Sequence, residues 1–318
     1  MGAVRGGPGP GGGPGRDVTA ADDGGAWRCL RLEPPSDVGR QIRFVRRFPA
    51  YVKAWDGEAL WLSYTGEDGL PQRLGLRPHG DGAVRVHGEM ERARRMLCAD
   101  LDLSPLEACV GALAEDSPIR MLHERYHGFR PVLFADVFEG LCWAVLAQQV
   151  SVVAACAVKD RTAAAAAGDR DPHQPLAFPS PERLASLGAG RLRALGMSGR
   201  KAQTLLHFAH LALGDEGGLD ALALGTTGEV FERLRSIAGI GPWSAAYALI
   251  RVFGRTDIGP WADIGLRRAW GRAASLGRMA SAAEVEEAAA SLPGWQAFLA
   301  WYLWLDERDR EEGPVAPP

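Results

Sequence analysis

Residues Leu234 to Ala269 read LRSIAGIGPWSAAYALIRVFGRTDIGPWADIGLRRA, and the rest of the chain is best understood outward from them. Two helical patterns meet at Gly239-Ile240-Gly241. Leu234 and Ile237 end one apolar face, and Ala245, Tyr247, Ala248 and Ile250 continue in the next. Gly239 suits the left-handed conformation that closes a helix, and Pro242 at the first position of the next lacks an N–H that would be unpaired there anyway. The hairpin amides then point outward, where a phosphate can accept from them. Twenty-odd residues on, Asp263 stands where the helix Ile264 to Ala274 needs an N-cap. A lone Gly-Ile-Gly turn or a lone capping Asp is commonplace, and the weight lies in the two together.

The combined motif, LxxIxGIGPWSA followed by an aspartate opening a helix as DIGLRRA, resembles the helix-hairpin-helix DNA glycosylase superfamily, and within it bacterial 3-methyladenine DNA glycosylase II. The likeness extends over roughly Trp27 to Trp304. It implies an α+β fold: a small N-terminal antiparallel sheet with a helix, then an all-α core. It also implies that Asp263 is the catalytic carboxylate and that Gly239, Ile240, Gly241 and Ser244 meet DNA. Bifunctional relatives carry a Schiff-base Lys two residues after the second hairpin glycine, where this chain has Trp243. With only Lys53, Lys159 and Lys201 in the sequence, the expected reaction is hydrolysis alone, leaving an abasic site.

At 318 residues, 47% hydrophobic and 24% charged, the chain is long enough for a sizeable core. No stretch has the length of a membrane span and no signal-peptide core opens the sequence, so a cytoplasmic location is expected, nucleoid-associated through DNA, and the chain is expected to be a monomer. Five cysteines, at 29, 98, 109, 142 and 156, have no paired metal spacing. Some relatives carry a four-cysteine iron–sulfur loop near the C-terminus; no cysteine follows Cys156, so no cluster is expected. A cation bound by hairpin carbonyls would leave no sequence trace. The net charge of −3 is unusual for a DNA-binding protein, yet Arg191 to Arg272 holds eleven Lys and Arg against seven Asp and Glu.

In chain order, residues 1–25 are Gly and Pro rich and expected to be disordered. An α+β domain is expected over 26–95, with Ser36 capping SDVGRQIRFVRRF and turns at Asp56-Gly57, His79-Gly80 and Asp81-Gly82. The all-α domain follows over 96–305. There Phe138 to Val150, FEGLCWAVLAQQV, reads as a buried helix ending in two glutamines. The resemblance places Gln148 at the pocket edge and Gln149 in the gap left by a flipped nucleotide. The segment from Arg161 to Ser180 reads as a helix end and a loop containing His173, and Ser180-Pro181 starts the next helix. Arg191, Arg193, Arg200 and Lys201 are charged surface residues, the last two candidates for phosphate contact. His207 and His210 have no acidic or thiol partner at metal spacing. Trp295, Trp301 and Trp304 lie on the last helix, and Trp304 matches a position against the extruded base, with Trp243 and Tyr247. Residues 306–318 are expected to fray as an acidic tail.

An aromatic box and one carboxylate suit a base that is already cationic. Alkylation at a purine ring nitrogen makes the base a good leaving group, so the site must stabilise the oxocarbenium-like sugar and hold the cation. Double-stranded DNA containing a damaged base is the expected partner. The competing readings are a glycosylase for a deaminated or oxidised base, and a helix-hairpin-helix scaffold without catalysis. A scaffold needs neither Asp263 nor the aromatic group.

Overall fold

The computed structural model describes residues 27–47, 54–66, 69–80, 82–167, 176–214 and 218–311. The expected tail 1–25, His173, Lys53 and the last residues from 312 lie outside them. Four strands, β1 (Trp27–Arg31), β2 (Leu60–Thr65), β3 (Pro71–Pro78) and β4 (Ala83–His87), make one antiparallel sheet in the order β1-β4-β3-β2. Period-two alternation fixes its buried face: Leu30, Leu60, Leu62, Leu74, Leu76, Val84 and Val86 all point inward. The expected turns lie between these strands, with Gly57, Gly80 and Gly82 at positive φ. Helix α1 (Val38–Arg46) covers the buried face with Ile42, Phe44 and Val45. Its cap is Asp37 rather than the expected Ser36, because the Asp37 carboxylate accepts from the Arg40 amide at 2.8 Å.

Twelve further helices follow among the described residues. They are α2 (Met90–Met96), α3 (Ser104–Gly111), α4 (Pro118–Arg125), α5 (Val137–Leu146), α6 (Val152–Ala167), α7 (Pro181–Ala194), α8 (Gly199–Leu213), α9 (Thr227–Arg235), α10 (Pro242–Arg251), α11 (Ile264–Ala273), α12 (Ala282–Ala289) and α13 (Gln296–Glu311). The fold is thus α+β. Ser180 caps α7, accepting from the Arg183 amide, with Pro181 at its first position. Helix α5 is buried from Phe138 onward but stops at Leu146, four residues before Val150. Gln148 and Gln149 therefore sit in a turn, with Gln149 in the left-handed region at φ 54.

Helix α13 is the spine. Phe298, Trp301, Tyr302 and Leu303 are fully buried in it, and α4, α11 and α12 pack around it. Trp295 is half-buried at its entrance. Phe44 of α1 meets Phe129 and Trp301 edge-on, which ties the sheet to the helices. The expected fraying from residue 306 is not what the structure shows, since α13 continues to Glu311. Asp306 is only 3% exposed and is met by Arg125 at 3.0 Å, Arg272 at 3.2 Å and Arg310 at 3.1 Å. Arg268 reaches Glu307, and Arg47 of the N-terminal region reaches Asp309 at 2.5 Å. Opposite charges from distant parts of the chain hold in place a segment whose own composition is merely acidic.

Candidate active site

The hairpin between α9 and α10 is a tight one. Ile237 and Ile240 are buried, so the loop is anchored by its apolar residues while Gly239 and Gly241 remain partly accessible. Gly239 adopts φ 96, and a Cβ there would lie 2.2 Å from the Thr204 hydroxyl of α8. That hydroxyl is 2.8 Å from the Ala238 carbonyl, so the turn rests directly on α8. Gly241 is the N-cap of α10 and Pro242 its first residue. The amides at this helix start are the partial positive end of its dipole.

Asp263 caps α11. One carboxylate oxygen accepts from the Leu266 amide at 3.1 Å; the other accepts from the Trp243 indole N–H at 3.0 Å. The residue that replaces the lyase lysine thus holds the expected catalytic carboxylate. Trp243 and Tyr247 are one turn apart on α10 and stack, with centroids 5.1 Å apart at 22°. Trp304 of α13 meets Tyr247 edge-on at 5.9 Å. Asp263, Trp243, Tyr247 and Trp304 are therefore brought together, with the carboxylate, Trp243 and Trp304 half-buried. A half-buried anion beside aromatic faces interacts with a cation more strongly than it would in open water.

Two residues that sequence reasoning did not single out support this wall. Trp143 of α5 donates its indole N–H to the Tyr247 hydroxyl at 3.1 Å. Arg251, 5% exposed at the end of α10, places its guanidinium about the rings of Phe44, Phe134 and Trp301, 5.0 to 5.2 Å from each centroid. Trp143 stood in an apolar helix where an aromatic residue is unremarkable. Arg251 had a weak signal, an arginine inside an otherwise apolar stretch.

The remaining expected site residues divide. Gln148 does not face the aromatic group with its amide nitrogen. That nitrogen donates to the Gly239 carbonyl at 2.9 Å and the Ser244 hydroxyl at 2.8 Å, bracing the α5 turn against the hairpin. Ser244 is correspondingly buried, its hydroxyl turned inward rather than toward a phosphate. Lys201, expected on the DNA surface, donates instead to the carbonyls of Leu146 at 2.9 Å and Gln148 at 2.8 Å. Burial holds its pKa below the usual lysine value. The unpaired carbonyls at the C-terminal end of α5 attract a cation more effectively than open solvent does. Arg200, the next residue back, remains exposed beside Gly239, and Gln149 is exposed on its turn next to Val150, Val152 and Val153. His207 and His210 lie exposed on α8.

Residues 142–293, which include the hairpin, Trp243, Tyr247 and Asp263, match the model of the HhH-GPD superfamily base excision DNA repair proteins. This region belongs to the HhH-GPD superfamily. The chain is 29% identical over 208 residues to a DNA-3-methyladenine glycosylase of Bacillus subtilis, covering 64% of this chain and 67% of that protein. The solved 3-methyladenine DNA glycosylase of Archaeoglobus fulgidus superposes with a TM-score of 0.73 at 25% identity, over 88% of this chain and 98% of that one. A Schizosaccharomyces pombe 3-methyladenine DNA glycosylase, solved in complex with abasic DNA, superposes at 0.51 and 27% identity, over 62% and 94%. Beyond that region too, the chain is similar to DNA glycosylases of base excision repair.

Proposed function

We propose that the protein is a monofunctional glycosylase that extrudes an alkylated purine of the 3-methyladenine kind from double-stranded DNA and hydrolyses its N-glycosidic bond. The reading is carried by one observation, the Asp263 carboxylate held by Trp243 at the edge of a Trp243–Tyr247 stack. The cationic base enters against the electron-rich rings of Trp243, Tyr247 and Trp304, where a desolvated cation gains on the order of 2 kcal/mol. As the C1′–N bond breaks, the bond electrons neutralise the base and positive charge develops on the sugar. Asp263 stabilises that charge, and water then adds to C1′ and gives up a proton. A preorganised group of this kind is worth roughly 3 kcal/mol. Extrusion costs a few kcal/mol, and stacking of about 1–3 kcal/mol per base offsets much of it.

The residue at position 243 and the engagement of the described lysines support hydrolysis without strand cleavage. Lys159 is paired with Glu139 at 2.7 Å, and Lys201 is bound to two carbonyls. Gln149 fills the gap left by the nucleotide, and the hairpin amides with Arg200 hold phosphates. No iron–sulfur cluster takes part, and the protein acts as a cytoplasmic monomer on the nucleoid. The test is release of free base from alkylated duplex DNA, followed by borohydride treatment. Release of 3-methyladenine with an intact backbone and no covalent adduct is expected. A borohydride-trapped adduct refutes hydrolysis alone. Release only of deaminated or oxidised bases refutes the substrate class, and binding without release of any base leaves a scaffold.

A further inference from the structure

Away from the aromatic group, three donors converge between α3 and the end of α4. They are Glu107 of α3, His123 of α4 and His127, four residues on in the turn after α4, and their ligand atoms all lie within 4.8 Å of one another. The two histidine rings meet edge-on, with centroids 5.6 Å apart. Nε2 of His123 is 2.9 Å from one Glu107 oxygen, and Nε2 of His127 is 3.5 Å from the other. A tetrahedral zinc ion bound at about 2.0–2.2 Å sets neighbouring donors about 3.3 Å apart, so these gaps already approximate two edges of such a site.

Two further observations separate this group from an ordinary surface ion pair. Glu107 Oε1 is buried and has no hydrogen-bond partner, a costly arrangement for an acceptor 3.5 Å from the His127 ring nitrogen. The second concerns His123, which is 5% exposed and has its other ring nitrogen 2.9 Å from the Tyr302 hydroxyl of α13. An imidazole whose remote nitrogen is fixed in this way is held in one orientation, as metal-bound histidines are.

We propose that Glu107, His123 and His127 form a zinc site, with both Nε2 atoms and the Glu107 carboxylate as ligands and a water in the fourth position. His127, with its side chain 55% exposed, gives solvent access for the ion and the water. In the bound form, the His123 ring carries its proton on Nδ1 and donates it to the Tyr302 oxygen. Nε2 then gives its lone pair to the metal. The ion joins α3 to α4 and, through Tyr302, reaches the helix that carries Trp304 two residues later. The mixed nitrogen and oxygen donors with an open position suit zinc, and without thiolates the affinity is moderate.

The test uses the full chain without an affinity tag, stripped with chelator and titrated with Zn²⁺ by calorimetry. Wild type is expected to bind one ion saturably and to unfold at a higher temperature with it. His127→Ala, at an exposed position, and Glu107→Gln are expected to weaken binding at least about tenfold. Co²⁺ added to wild type is expected to give the intense visible absorption of a tetrahedral site, lost in His127→Ala. Absence of saturable one-to-one binding by wild type overturns the proposal. Equal affinity in both variants overturns it as well, by placing the ion on other residues.

Discussion

Replacing Asp263 by Asn isolates the charge from the cap. Asn is as good an N-cap as Asp, so its side-chain oxygen still accepts from the Leu266 amide and α11 keeps its start. The second position becomes an NH₂ facing the Trp243 indole N–H, where a carboxylate oxygen accepts at 3.0 Å. Loss of that charge-assisted hydrogen bond costs at most about 1.5–3 kcal/mol, reduced because both groups are half-buried and water takes up part of it. The variant should therefore fold and bind DNA. Removal of the negative charge beside the reacting sugar costs about 10²- to 10³-fold in rate, the scale of one preorganised electrostatic group. Single-turnover release of 3-methyladenine from saturating alkylated duplex measures this, with DNA affinity and thermal unfolding as controls. A variant that releases base within about threefold of wild type, at equal affinity, refutes the electrostatic role and leaves Asp263 a cap. Asp263→Ala, in contrast, should lose activity and about 1 kcal/mol of stability together.

Trp243→Phe keeps an aromatic face but removes the donor that orients Asp263; base release should fall about tenfold while DNA affinity holds, as a bond worth roughly 1.5 kcal/mol is lost. Lys201→Met should slow base release about tenfold by loosening the α5 turn. The slope of log affinity against log salt should not change in that variant, whereas in Arg200→Ala it should become shallower by about 0.9. Gly239→Ala meets both a positive φ and the Thr204 hydroxyl, so it should destabilise the protein by more than about 1 kcal/mol and weaken DNA binding, as denaturant unfolding and filter binding would show. Asp306→Ala removes the carboxylate shared by Arg125, Arg272 and Arg310, and a loss of about 1–3 kcal/mol in unfolding free energy is expected.

Local chemistry was legible in the sequence. The Gly239 turn, Pro242 and the Asp263 cap follow from backbone rules that act within a few residues, and the Trp243–Tyr247 stack follows from helical period. The alternation in β2 to β4 likewise needed only neighbours. Roles set by packing between distant helices were not legible. Gln148 and Gly239 are 91 residues apart, and Lys201 and Leu146 are 55 apart, so neither contact leaves a trace in spacing. Gln148 reads as a residue for the base and Lys201 as one for phosphate, but the carbonyls after α5 take the lysine while the hairpin's Gly239 carbonyl and Ser244 hydroxyl take the Gln148 amide. Asp306 misled for the same reason, since an acidic run reads as solvated until its partners, up to 181 residues away, are known. Glu107, His123 and His127 were invisible as a group because two helices had to be folded together first.

Gln148 makes the turn that carries Gln149 and the hairpin one rigid piece. A caliper with a locked jaw behaves in this way: in the proposed reaction, a hairpin seated on a strand would put Gln149 at one fixed offset along it. A substitution that frees the jaw would blur which nucleotide is sampled before it altered which base is accepted.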